Sequence, residues 1–230
     1  MNSQSWAVLG GVCEGERTKQ VFRSIDGMCD TKYGPVLLAP AYTTPDPTIG
    51  RITKFAAGTK ENGAVFCHAV MFKVVADCME KRADKAYDSL QKVMPSRQPE
   101  GVYKAEPYSY SEYIIGPAHP YLAGEGAFTW ITGSAGWGFM AATEWILGVR
   151  RELGGLRIDP CLPSAWKRAS ITRRFRGANY EVDIERVSTL APGARKIMLD
   201  GRLFAGDLLP AFKDGKTHSV KVSISSVNPR

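Results

Sequence analysis

Tyr180-Glu181-Val182-Asp183-Ile184-Glu185 alternates apolar and acidic side chains. A period of two is the pattern of a half-buried strand, with one face to a core and the other to water. Val220, Val222 and Ile224 alternate in the same way with Ser219, Lys221 and Ser223. Between these runs, Asp200-Gly201 separates Ile197-Met198-Leu199 from Leu203-Phe204, which is the spacing of a two-residue hairpin. Asp214-Gly215 reads as a second turn. The stretch Arg168 to Arg176 carries Arg173, Arg174 and Arg176, and it too alternates. It reads as the solvated face of a strand and fits no nucleic-acid motif. The β-rich tail, Leu156 to Val227, is read as structural.

Upstream the character changes near Gly154-Gly155. Val21, Phe22, Ile25 and Met28 share one helical face. Ala83, Ala86, Tyr87, Leu90, Val93 and Met94 form another stripe, which Pro95 stops. Phe128, Ile131, Ala135, Phe139, Ala142, Ile146 and Val149 step by three and four, and predict one long amphipathic helix. Long loops rich in Pro and Tyr join these segments. Their rings suit sugar binding, or equally a belt that pins the loops to the body. Helices first and strands last predict an α+β chain of two domains, 1–153 and 154–230.

The 230 residues are 44% hydrophobic and 23% charged, enough to bury a core and too apolar for disorder. No window approaches a membrane span, and the N-terminus lacks the basic and apolar regions of a signal peptide. The net charge of +7 admits nucleic acid, acidic lipids or small anions as partners. Five cysteines at spacings that match no zinc pattern predict free thiols in a reducing cytoplasm. Three histidines make a multi-His metal site improbable.

Three clusters carry chemistry. Lys60-Glu61-Asn62-Gly63 with His68 places a cation, a carboxylate, an amide and an imidazole before an apolar helix. Anions are favoured at helix N-termini, although an ordinary polar loop would read the same way. Glu106-Pro107-Tyr108-Ser109-Tyr110-Ser111-Glu112-Tyr113 mixes rings, hydroxyls and carboxylates, as a sugar site or an aromatic belt would. Trp130-Ile131-Thr132-Gly133-Ser134-Ala135-Gly136-Trp137 sets hydroxyls beside glycines. Glycine lets a backbone approach an oxyanion, while Gly136 reads better as tight helix packing.

In this order and spacing, the three clusters resemble glycoside hydrolase family 94. Gln4-Ser5-Trp6-Ala7-Val8, Gly155 to Pro163 and Arg174 to Tyr180 match that family as well. The resemblance implies the last part of an (α/α)6 barrel followed by a small β-sandwich. It implies phosphorolysis of a β-glycosidic bond with inversion, giving an α-sugar 1-phosphate. His68, Thr132 and Gly133 would bind phosphate, and Lys60 and Glu61 the acceptor sugar. Glu112 falls where many members carry a Gln that contacts the donor sugar. The general-acid Asp is expected upstream of Met1, which would leave this chain alone inactive, or a remnant that still binds sugar and phosphate. The expected substrate is a β-1,4-glucoside such as cellobiose or cellobionate. No cofactor is implied beyond inorganic phosphate as co-substrate. No nucleic acid or membrane partner is expected. Members are commonly homodimers, and association with a missing N-terminal part is a further expectation. Apolar helix faces without neighbours would drive association.

Overall fold

The computed structural model describes residues 1–226. Val227, the far end of the expected β-rich tail, lies outside the described residues, as do 228–230 of the expected β-domain. The chain forms two compact units, Met1–Met79 with Lys85–Phe139, and Glu80–Asp84 with Met140 onward. Helix and strand both contribute, so the class is α+β.

The first unit is built on helices α1 (Asn2–Leu9), α2 (Glu16–Met28), α3 (Cys67–Met79) and α4 (Ala83–Val93). Its centre is α3, whose run Cys67-His68-Ala69-Val70-Met71-Phe72 is apolar around most of its circumference and buries nearly every residue. Phe22 and Ile25 of the expected α2 stripe are buried, whereas Met28 is exposed. Ala86, Leu90 and Val93 of α4 are buried, and Pro95 ends that helix in a 3-10 turn, Pro95–Arg97. The short α5 (Glu100–Tyr103) follows.

A small antiparallel sheet was not expected in this helical part. Strand β1 (Val65–Phe66) pairs with β2 (Ser111–Ile114), which pairs with β3 (Gly126–Thr129). Two to four residues per strand are too few to display a period, and the partners are distant in sequence. The long helix expected over Phe128–Val149 does not form. Phe128 and Trp130 have φ of 55° and 72°, conformations that end a strand and forbid a helix. Helix α6 (Ser134–Met140) runs on into a π-helical turn, Ala141–Ile146, and Gly148 at φ 69° then turns the chain into strand β4 (Val149–Arg151). Strand, loop, helix and strand in succession had mimicked one helical stripe.

The second unit holds two sheets. Strand β4 and β10 (Leu208–Pro210) flank β5 (Gly155–Ile158). Gly154 therefore lies in the β4–β5 hairpin, inside this unit. The larger sheet takes β6 (Arg168–Phe175), β7 (Ala178–Val187), β8 (Arg195–Leu199), β9 (Arg202–Phe204) and β11 (Thr217–Ser225) in the order β6-β7-β11-β8-β9. Its central pair, β7 and β11, is parallel, with Val182 opposite Val220. Tyr180, Val182, Ile184, Val220 and Val222 are buried while their neighbours face water, as the period of two requires. Two hairpins turn on two residues each, Arg176-Gly177 (φ 45° and 83°) and Asp200-Gly201 (φ 48° and 77°). Paired positive φ matches the twist of the flanking strands. Asp214-Gly215 is a turn too, but it leads from one sheet to the other: the Asp214 carboxylate accepts from the Lys216 amide at 3.0 Å. All five cysteines are buried thiols.

Candidate functional site: a cleft and an imidazole

The Lys60–His68 cluster divides its work between scaffold and site. Asn62 is fully buried and makes three hydrogen bonds: its carboxamide oxygen accepts from the Tyr42 amide at 2.7 Å, and its nitrogen donates to the carbonyls of Tyr42 (2.9 Å) and Phe55 (2.8 Å). The Pro-rich loop is thereby tied to the turn. Thr59 and Asn62 close that turn, so Lys60 and Glu61 occupy its tip, with Lys60 at φ 48°. Glycine is required at Gly63 (φ 87°), where a Cβ would meet that of Ala41 at 2.9 Å.

Lys60 and Glu61 line an open cleft of about 350 Å³ with Arg51, Phe55, Phe66 and Glu112. That volume suits a small-molecule site. Glu112 comes from β2, and Phe66 from β1 beside it, its ring stacked on Tyr113 at 6.2 Å between centroids. The Phe55 ring lies under two cations, Lys60 Nζ at 5.2 Å and the Arg51 guanidinium at 5.4 Å. Among the described residues none of Arg51, Lys60, Glu61 and Glu112 is engaged in an ion pair. Two cations and two carboxylates thus face one cleft with their hydrogen-bonding capacity free. Burial pushes the Tyr113 phenol up, and the nearby charges of Glu112 and Glu61 push it further. Sequence reasoning missed Arg51 and Phe55. Their one signal was a cation and an aromatic four residues apart, in what is a single 3-10 turn, Arg51–Lys54, and the residue after it.

His68 stands in the first turn of α3, against Phe72 (4.8 Å between ring centroids) and Trp137 (6.1 Å). Its Nε2 is buried and has no hydrogen-bond partner among the described residues. An unsatisfied buried nitrogen costs about 1–3 kcal/mol, which a bound acceptor would recover. Burial also lowers the pKa of the imidazole, so the free site favours the neutral ring. A protonated ring would hold an anion best, and in the free protein burial opposes that charge.

Gly133 faces this ring directly. A Cβ on it would fall 2.8 Å from His68 Cε1 and 3.1 Å from Nε2, so any larger residue there presses on the ring edge. Thr132 lies beside it, with Oγ1 accepting from the Ser134 amide at 3.2 Å and paired with Ser134 Oγ at 2.7 Å. When Ser134 donates in that pair, the Thr132 proton is left for a ligand. His68, Thr132 and Gly133 therefore form one group and Lys60, Glu61 and Glu112 another. The chain joins them where Phe66 is followed by Cys67 and His68.

The Glu106–Tyr113 cluster splits. Glu106 accepts from Trp130 Nε1 at 3.0 Å, a bond that lowers its pKa, and Tyr108 meets the Trp130 ring edge-on at 6.1 Å. Tyr103 and Tyr113 are buried, so these rings pin loops. Tyr108 and Tyr121 remain exposed. The described residues contain no cluster of His, Cys, Asp or Glu able to hold a metal ion.

Residues 1–148 match the model of the glycosyl hydrolase 94 superfamily catalytic domain. The chain belongs to glycosyl hydrolase family 94. Residues 149–190 match the C-terminal domain of glycosyl hydrolase family 65. Among similar family 94 proteins, solabiose phosphorylase of Paenibacillus borealis is 41% identical over 226 residues, 97% of this chain and 29% of that protein. N,N'-diacetylchitobiose phosphorylase of Vibrio proteolyticus is 36% identical over 91% of this chain and 26% of its own length. Cellobionic acid phosphorylase of Neurospora crassa is 32% identical over 81% and 24%. The chain thus spans under a third of the length of these relatives.

Proposed function

We propose that this chain supplies the phosphate and sugar subsites of an inverting β-glycoside phosphorylase. The observation that carries the reading is the buried, unpartnered Nε2 of His68 facing Gly133, on the same short stretch of chain as a cleft of unpaired charges. The names of these three relatives, each a phosphorylase, support the reaction class.

An inverting hydrolase needs two carboxylates, one as acid and one as base. Phosphate is already an anionic nucleophile and needs no base. One of its oxygens attacks the anomeric carbon while the bond from that carbon to the leaving oxygen breaks. A general acid protonates the leaving oxygen. In this reading the acid comes from sequence outside the present chain, and an (α/α)6 barrel is completed there. The task of this chain is positioning and electrostatic: His68 gives an Nε2–H bond, Thr132 a hydroxyl and Gly133 its amide, while Lys60, Glu61 and Glu112 hold sugar hydroxyls. With Glu61 and Glu112 turned to sugar hydroxyls, Arg51 and Lys60 are left to pair with a carboxylate on the acceptor, and on this division cellobionate is preferred to cellobiose.

The test pairs equilibrium binding of inorganic phosphate to the purified chain with phosphate release from α-glucose 1-phosphate, given glucose, gluconate, cellobiose or N-acetylglucosamine as acceptor. The reading expects a phosphate site in the first unit that His68→Ala removes, without turnover. Turnover lost in His68→Ala would place the general acid on this chain. Phosphate binding that is the same in wild type and His68→Ala would overturn the assignment.

A further inference from the structure

The second unit holds a smaller and more enclosed pocket, of about 80 Å³, that no step of the proposed reaction uses. Its walls are apolar, with Pro160, Leu162 and Ile224 among them; its polar lining is Lys81, Asp159, Arg186, Arg195 and Ser225. Asp159 is held by Lys81 Nζ at 2.6 Å, Arg150 at 3.3 Å and Arg195. Burial pushes the Asp159 carboxyl up, but these three cations bring it below its ordinary value, so it is ionised and fully engaged. Arg195 also reaches Asp207 at 2.6 Å, which takes Arg157 at 2.7 Å, and Arg157 in turn grips Glu152.

Arg186 is different. Its guanidinium donates only to carbonyls: those of Leu162 (2.6 Å), Ser225 (2.9 Å) and Trp166 (3.1 Å), with a longer contact to Pro163. Among the described residues no carboxylate balances it. Among the described lining residues, Lys81, Arg186 and Arg195 stand with Asp159, three cations to one anion. An excess of positive charge around a partly desolvated pocket favours a bound anion. Lys81 adds a second indication. It lies at φ 56°, a conformation that costs a non-glycine residue energy, in the turn between α3 and α4 that brings its ammonium to this pocket. The Gly193-Ala194 backbone lines another wall, with Gly193 at φ 75°.

We propose that this pocket is an anion site for a free tetrahedral oxyanion of phosphate or sulfate size, held by Lys81, Arg186 and Arg195. The pocket has room for one such ion or a few waters. A hexose attached to the phosphate exceeds it. Two negative charges on the ion match the excess in the surrounding network.

The test is a titration of the full chain with inorganic phosphate, followed by the backbone amide resonances of Lys81, Gly193 and Ala194. The His68→Ala variant separates this site from the one in the first unit. The three amides are expected to shift saturably in both proteins, and sulfate is expected to compete. Lys81→Ala removes an exposed end of the network and leaves Arg150 and Arg195 on Asp159. It is expected to weaken binding about tenfold, the loss of one charged hydrogen bond. Glucose 1-phosphate is expected to bind more weakly than phosphate. Amides in His68→Ala that stay unmoved by phosphate overturn the proposal, as does unchanged affinity in Lys81→Ala or tighter binding of the sugar phosphate.

Discussion

The chemistry of the first unit turns on single atoms. His68 has one face against Phe72 and Trp137 and its Cε1–Nε2 edge against the bare backbone of Gly133. Gly133→Ala would drive a methyl into that edge. It is expected to weaken phosphate binding about tenfold while shifting the melting temperature little, because Gly133 is exposed and its conformation is open to alanine. Calorimetric titration beside a thermal melt separates the two effects; a loss of stability with unchanged affinity would refute the account. Asn62 has the opposite character. Its side chain is buried and its bonds hold a loop, so Asn62→Ala should cost about 2 kcal/mol by stranding part-buried backbone groups of Tyr42 and Phe55. Urea unfolding measures it. The sequence announced Lys60, Glu61, His68 and Glu112 as a spaced motif. It could not announce that Asn62 is scaffold, because an amide in a polar loop looks the same in either role. Arg51 stayed hidden for a similar reason: its place in the cleft depends on a fold-back that Asn62 fastens.

At the scale of elements, legibility followed periodicity and turn chemistry. Strand β7 and strand β11 could be read from alternation alone, and Asp200-Gly201 from a dipeptide that tolerates paired positive φ. The parallel pairing of β7 with β11 left no mark in either strand, since register is a property of two segments. The run Phe128 to Val149 misled because its apolar spacing spans four different elements. Gly133, Gly136, Gly138 and Gly148 were the counter-signal. A clamp in the larger sheet gives a prediction at this scale. His218 stacks on Phe212 at 3.8 Å between centroids and meets Asp200 at 2.8 Å and Asp214 at 3.3 Å, joining the β8–β9 hairpin to the turn before β11. Burial pulls the His218 pKa down, yet the two carboxylates outweigh it and raise the value above normal. A raised histidine stabilises fully below its unfolded pKa and loses that contribution as pH rises through the folded one. For Asp200 and Asp214 the folded values are lowered, chiefly by the His218 hydrogen bond and by the Lys216 amide respectively. Their contribution is present above the unfolded value and is lost as pH falls through the folded one. The stability difference between wild type and His218→Gln should therefore peak near about pH 5 and shrink above neutrality. Denaturant melts across pH will show it; a difference that grows with alkalinity would contradict it.

For the whole molecule, the class and the family follow from the sequence, while the two compact units divide near Phe139–Met140 where the α-to-π transition lies. Large apolar side chains remain exposed in the first unit, among them Trp130 and Ile131 at 68% and Phe139 at 67%. Such surface is expected to make the chain associate with rising concentration, a property that sedimentation velocity resolves. A single monomeric boundary at all concentrations would contradict that expectation. The central claim is narrower, that His68 belongs to a phosphate subsite. The measurement that tests it most directly is a pH titration of the His68 ring resonances with and without inorganic phosphate. In the free protein the ring should titrate below its ordinary value, because burial disfavours its charge. Bound phosphate supplies an acceptor for Nε2 and a negative charge beside it, so the account predicts a clear upward shift of that titration. A His68 curve that phosphate leaves unmoved would contradict it.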